Sequence, residues 1–218
     1  QEETAVTDSS APTSTPAQTQ DAASTPYVVE VQAIGKTFEG PSEIPSGWIT
    51  FRLVNASPMI HFGLIDVPPE RVTIDEFSED LTVPFQDVMD AMNARDEEAV
   101  NAAFGTFPAW VGELSRAGGP GFLSPGLIGQ TTVYLEPGYY IMECYIKSDG
   151  IFHTTPPAPG ELGMLLEISV TEEASGAPEP NANANLLVTN SGFVLTGGEI
   201  RKGTNTFKVG FVEQQALP

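Results

Sequence analysis

The chain has 218 residues, with 29 Asp and Glu against nine Lys and Arg, one Cys and two His. A net charge of −20 removes the basic footprint that a nucleic-acid or anionic-lipid binder needs, and leaves a cationic molecule as the natural charged partner. A single Cys excludes an internal disulfide framework and any Cys-rich zinc or iron–sulfur site. No apolar run approaches the ~20 residues that span a bilayer.

Residues 1–26 are dominated by Ser, Thr, Ala and Pro and contain no Leu, Ile, Phe, Trp, Lys or Arg. Such a segment has nothing to bury and is expected to be a disordered leader. Its composition, and a start at Gln rather than Met, point to an exported protein: periplasmic, extracellular, or held at the cell surface by a lipid anchor upstream of Gln1. An artificial boundary at Gln1 is the alternative.

Patterned sequence begins at Tyr27. Strands are expected at Tyr27–Ile34, Trp48–Val54, Ile60–Asp66, Thr131–Leu135, Tyr139–Tyr145 and Leu165–Val170. Ile49, Phe51 and Leu53 alternate with Thr50 and Arg52, as on a strand with one face on a core. Strands at this density, separated by turns such as Glu136-Pro137-Gly138, predict a mainly β, antiparallel sandwich.

Between the third and fourth strands the period changes. Phe77, Leu81, Phe85, Val88, Met89 and Met92 recur at helical spacing, so residues 72–103 read as one or two helices inside an insertion over about 72–116. Thr82 reads as the N-cap of a helix starting at Val83, with Pro84 in its first turn. Asp75 and Glu76 suit a helix N-terminus, and the other acids of this stretch read as a solvated face. Ala117 to Gly129, AGGPGFLSPGLIG, is expected to be a loop; without a Lys-Ser or Lys-Thr pair it is no phosphate loop. Trp48 and Trp110 are expected to pack in the core, with a carbohydrate-binding surface as the alternative.

The first domain is taken as residues 27–171, followed by a linker over 172–185. Residues 186–218 then begin again: EIPSGWITFRLVN at Glu43–Asn55 matches EIRKGTNTFKVGF at Glu199–Phe211 at a fixed offset, with Glu, Ile, Gly, Thr and Phe coinciding. A generic turn and amphipathic strand would give part of this match. As a repeat, it stops at Pro218 before the strands that would cover Phe193, Leu195, Phe207, Val209 and Phe211. The expectation is a chain cut short of a longer protein; docking of these strands on the first domain or on another copy is the alternative.

The scarce ligands fall in a telling order. His61 starts a strand, Cys144 ends one, His153 follows in a loop, and Met164 opens the last strand. Singly, each has a bland reading: a buried small thiol, two half-buried imidazoles, a core Met. Together, two imidazoles and a thiolate with a weak axial thioether suit copper cycling between two oxidation states. Pro137 to Cys144, the Asn55 to His61 turn, and Gly163-Met164 resemble the ligand-bearing segments of the cupredoxin family, which includes plastocyanin, azurin and the type 1 domain of copper nitrite reductase. The resemblance covers residues 27–170 apart from the insertion, and is similar also to exported bacterial cupredoxin-like proteins of unassigned role. It implies a Greek-key β-sandwich and one type 1 copper held by His61, Cys144 and His153, with Met164 as axial ligand.

Ten residues separate His153 from Met164, more than the family pattern. The proline-rich insert either bulges outward and leaves Met164 in place, or displaces it in favour of Glu161 or a backbone carbonyl. The implied function is single-electron transfer, without enzymatic activity, to a basic redox partner. Phe62, Phe152 and Pro156 would shield the metal and leave a His edge as the electron route. A copper carrier or buffer using the same ligands, and a metal-free binding module, remain the rival readings.

Overall fold

The computed structural model describes residues 25–212. The leader expected over residues 1–26, but for its last two positions, lies outside the described residues, as do residues 213–218.

The first layer is built from strands whose residues alternate between core and solvent. In β1 (Tyr27–Ile34), Val29, Val31 and Ala33 are buried while Val28 and Glu30 face out. β2 (Thr37–Glu39) returns antiparallel on one side of β1, and β3 (Glu43–Asn55) lies on the other. In β3, Ile49, Phe51 and Leu53 are fully buried, and β6 (Ile128–Leu135) pairs antiparallel with its second half. The second layer runs β10 (Leu165–Ala174), β7 (Gly138–Glu143), β4 (Leu64–Val67), β5 (Ser115–Gly118). β3 belongs to both: Glu43–Ser46 pair with β10, and Gly47 onward with β6. Gly47, at φ +100, marks the change of layer. The core between the layers joins Val31, Phe51, Leu53, Ile65, Leu135, Met142 and Ile168.

This is the mainly β sandwich with a helical insertion that the sequence predicts. It is not all antiparallel, since β1 and β3, and β3 and β10, run parallel. Alternation of side chains has period two in either orientation, so the pattern cannot distinguish them.

The insertion holds α1 (Ile74–Ala94), α2 (Glu97–Phe104) and a 3₁₀ turn at Ala109–Glu113. The N-cap of α1 is Thr73, not Thr82. Thr73 accepts from the Glu76 N–H while the Glu76 carboxylate accepts from the Thr73 N–H, so two orphan donors are satisfied at once. Thr82 and Pro84 therefore lie inside the helix, where Pro84 removes one backbone donor. That loss is offset by burial: Phe77 stacks on Trp110 with ring centroids 5.9 Å apart, and both pack with Val72 against Ile141 and Leu165 on the outer side of β7 and β10. β7 is consequently buried on both faces. The stretch 117–129 is also more ordered than a plain loop, for it supplies the end of β5, a bridge from Leu123 to His61, and the start of β6.

After β10, strands β11 (Ala184–Thr189), β12 (Gly192–Gly198) and β13 (Phe207–Phe211) form a separate sheet in the order β12-β11-β13. β11 is antiparallel to β12 and parallel to β13, the same topology as β2-β1-β3. The registers correspond as well. Val29–Phe51 and Val31–Leu53 in the first unit match Ala184–Phe207 and Leu186–Val209 in the second. Ala33–Phe38 matches Val188–Phe193. The burial differs: Phe51 and Phe38 are 0% and 8% exposed, but Phe207 and Phe193 are 41% and 76% exposed.

Candidate metal centre

Each ligand candidate is delivered by a different local device. Asn55, fully buried at the end of β3, donates from Nδ2 to the carbonyls of Met59 (2.7 Å) and Leu123 (2.9 Å), and its Oδ1 accepts from the Ser57 N–H (3.0 Å). These three bonds shape the turn that ends at His61. The backbone of His61 is then held by a reciprocal pair with Leu123, at 3.1 and 2.7 Å. Gly119 comes so close to the Gly63 carbonyl that a Cβ there would sit 1.9 Å from the oxygen, and its φ of +135° also calls for glycine.

Cys144 follows β7 directly, on the core-facing side with Tyr140 and Met142. His153 follows a small hairpin, β8 (Lys147–Ser148) and β9 (Ile151–Phe152), and its N–H donates to the Ile146 carbonyl at 2.8 Å. Met164 donates its N–H to the His153 carbonyl (2.8 Å), and its carbonyl accepts from the Cys144 N–H (3.2 Å). Gly163 makes this return possible, because a Cβ there would meet the Thr154 carbonyl oxygen at 1.9 Å. The proline-rich insert does bulge outward: residues 157–162 are exposed, whereas Gly163 and Met164 are buried. Glu161 is exposed with the bulge and lies outside the metal-ligating group formed by the other side chains.

The fold brings His61, Cys144 and His153 together. The Nδ1 atoms of His61 and His153 lie 3.6 and 3.8 Å from Cys144 Sγ, and the two imidazole rings are 4.8 Å apart. All three side chains are fully buried. Burial drives the thiol pKa up, with the backbone N–H groups of Phe62 and Ile146 acting the other way. It drives both imidazoles down: His61 is opposed by the backbone of Gly35, and His153, further lowered by His61 and Lys36, falls to about 4. At neutral pH both histidines are therefore uncharged, the form in which imidazole ligates metal. The donor set, two neutral imidazole nitrogens converging on one sulfur, fits a copper ion of the N₂S type.

Of the three residues expected to shield the site, Phe62 and Phe152 are themselves buried, at 7% and 4% exposure, and Pro156 is half-buried. The expected open His edge is absent. Both rings are fully covered, and His153 Nε2 lies 2.8 Å from Ser148 Oγ. The insertion reaches the aromatic residues next to the ligand candidates: Phe85 of α1 packs on Phe152 (5.1 Å) and Tyr145 (6.0 Å). Sequence pattern assigns Phe85 to a helix face without saying what that face meets.

A second feature escaped the sequence reading. Asp66 and Glu143, on neighbouring strands β4 and β7, are buried side by side, with Arg116 Nε 3.5 Å from Asp66. Burial raises Asp66 to about 6, against the opposing effects of the Glu143 hydrogen bond and Arg116. Glu143 is raised well above the usual carboxylate range by burial and by Asp66. An acid at such a strand position reads as solvated in the sequence, and only tertiary packing decides that it is buried.

No family model matches the chain, and no curated protein does. Among solved structures it is similar to auracyanin A, a "blue" copper protein from the green thermophilic photosynthetic bacterium Chloroflexus aurantiacus, at 16% identity and TM-score 0.37, covering 67% of this chain and 100% of that one. It is similar to auracyanin from the photosynthetic bacterium Roseiflexus castenholzii at 18% identity and TM-score 0.36, covering 68% and 98%. To reduced rusticyanin the values are 17% and 0.35, covering 66% and 78%. These are likenesses of fold at low score, and the chemistry of the site rests on its own donor geometry.

Proposed function

We propose that the chain is a copper-binding electron-transfer protein with one type 1 copper held by His61, Cys144 and His153, with Met164 as axial ligand. The observation that carries this reading is the convergence of two imidazole Nδ1 atoms on one thiol, within 3.8 Å, in a fully buried pocket. Copper bound there would take up and return one electron. The chain's own contribution is rigidity: donors fixed by β7, by the Asn55 turn and by the Met164 backbone bonds keep their places in both oxidation states.

Complete burial of the donors favours electron transfer over a copper carrier or buffer, which must present its ligands to a recipient. A metal-free binding module has no use for two neutral imidazoles turned onto a buried thiol. As an electron carrier the protein would have no catalytic residues. Its acidity suits a basic redox protein as partner, with an association that weakens as salt rises. Export to the periplasm, the medium or a lipid-anchored surface position is part of the same reading. No helix of the described residues is long and apolar enough to cross a membrane.

We also propose that residues 27–171 form the copper-bearing unit and that β11–β13 open a second unit of the same design without a copper site. At the offset that aligns β3 with β13, the counterpart of Asn55 is Phe211 and that of His61 is Leu217.

The test is one equivalent of Cu(II) added to the purified protein, followed by its visible spectrum. An intense thiolate-to-copper band that saturates at one equivalent, and that Cys144→Ser abolishes, is expected. A colourless protein that binds only Cu(I) would favour the carrier, and failure to bind copper in either state would end the copper reading.

A further inference from the structure

Neutral imidazole has one nitrogen that carries hydrogen and one that carries a lone pair, and the partner of the first decides which is which. In His153, Nδ1 faces the thiol, so the hydrogen must sit on Nε2 if Nδ1 is to ligate. Nε2 is 2.8 Å from Ser148 Oγ. The outer nitrogen of His61, by contrast, is buried without a side-chain partner or a hydrogen bond of normal geometry, and the nearby backbone of Gly35 is the group that acts on that ring.

Ser148 is itself held by unusual means. It lies in the two-residue strand β8, joined to β9 by Asp149-Gly150, whose φ values of 54° and 82° make a tight turn of the kind that matches strand twist. A hairpin this short is marginal alone. Helix α1 clamps it at three points. Gln86 Nε2 donates to the Gly150 carbonyl (3.3 Å), Lys147 Nζ pairs with Asp90 (3.0 Å), and Phe85 packs on Phe152. The Lys147 ammonium also sits over the Phe152 ring, 5.1 Å from its centre.

We propose that Ser148 is the positioning residue for His153, and that α1 is the clamp that keeps the β8–β9 hairpin, and therefore Ser148, against the outer edge of that ring. This rests on the copper reading for its purpose but not for its geometry. Ser148 accepts from Nε2–H, fixes the tautomer with the lone pair on Nδ1, and prevents the ring from turning away from Cys144. The insertion thereby acts on the metal site without supplying a ligand.

Two measurements on the full chain test this. In metal-free protein, ¹⁵N NMR should show His153 as the Nε2–H tautomer; Ser148→Ala should yield a tautomer mixture, and Ser148→Thr, which keeps the hydroxyl, should restore the single form. Competition with a chromogenic Cu(I) chelator should show Ser148→Ala weaker by about 10- to 100-fold, as for other removed partners of metal-bound histidines, with Ser148→Thr near the parent value. Phe85→Ala should speed the reaction of Cys144 with Ellman's reagent several-fold in metal-free protein, because the clamp is loosened. An unchanged tautomer in Ser148→Ala overturns the positioning role, and an unchanged thiol rate in Phe85→Ala overturns the clamp. If the parent protein binds no copper, the proposed function fails, and the tautomer and thiol rates still decide this inference.

Discussion

Asn55 shows how much one buried side chain can carry. Its amide makes two hydrogen bonds within the turn before His61 and a third to the Leu123 carbonyl across from it, and none of the three goes to a ligating atom. Asn55→Ala leaves the Met59 carbonyl and the Ser57 N–H of a buried turn without partners, at ~1–3 kcal/mol each before relaxation or water entry, while the Leu123 carbonyl keeps the His61 N–H. We expect a total loss of ~2–4 kcal/mol in urea unfolding and a weakened copper–thiolate band, because His61 loses its fixed approach. The Asp66–Glu143 pair makes the opposite kind of prediction. Since burial raises Asp66 to about 6, the folded protein binds more protons than the unfolded chain between about pH 4 and pH 6, and this group's contribution to stability falls as pH rises through that window. Asp66→Asn is expected to stabilise the protein by ~1–3 kcal/mol at pH 7.5, with the gain fading toward pH 4; unfolding curves at the two pH values check it. A gain independent of pH would mean that the carboxylate is not the source.

At the scale of elements, the insertion is both a structural layer and a cover. Its anchor is Phe77, 1% exposed against Trp110 and Ile141. Phe77→Ala should cost ~3–5 kcal/mol and expose the outer face of β7. The clamp on the β8–β9 hairpin then loosens together with the helix, so Ellman's reagent should reach Cys144 faster. Strand positions follow the sequence pattern most closely where alternation is strong. β1 begins and ends where expected, because Val29, Val31 and Ala33 alternate with outward residues. The pattern departs most from the structure around Ile60–Asp66, where the chain makes a single bridge at His61 before β4 begins at Leu64. There the backbone is governed by Asn55 and Leu123, which side-chain periodicity does not report. The misplaced N-cap has a similar cause. Thr82 followed by Pro84 is a good start signal locally, but the capping box of Thr73 and Glu76 lies a little upstream and the packing of Phe77 carries the helix through the proline.

For the whole molecule, the two matching sheets provide an internal control. Phe51 and Phe207 occupy corresponding register positions, yet one is fully buried and the other 41% exposed. Phe51→Ala should cost ~3–5 kcal/mol, whereas Phe207→Ala should cost no more than about 1 kcal/mol, since most of its surface already meets water. Equal costs, measured by urea denaturation, would mean that the C-terminal face is covered in solution. Copper offers a global test as well. Ligand that binds only the folded state stabilises it by about 2.7 kcal/mol at one hundred times its dissociation constant, so copper should raise the melting temperature of the parent and not of Cys144→Ser. The charge is unevenly shared: of the described C-terminal strands and turns, residues 184–212 hold one acid, Glu199, against Arg201, Lys202 and Lys208. The acidity that would steer a basic partner therefore belongs to the rest of the chain.

Side-chain order along the polypeptide was enough to determine a mainly β chain with a helical insertion, the sequence match between Glu43–Asn55 and Glu199–Phe211, and the candidates His61, Cys144, His153 and Met164. Periodicity, turn residues and the scarcity of His and Cys are local properties, and they survive in one dimension. The parallel pairing of β1 with β3, the packing of α1 on Phe152, the Ser148 hydrogen bond and the buried Asp66–Glu143 pair were decided only in three dimensions. Each depends on which face of one element meets another across 20 residues or more of chain, or on a hydrogen bond whose partner no local pattern singles out; a charged or hydroxyl side chain reads the same in sequence whether water or a helix lies above it.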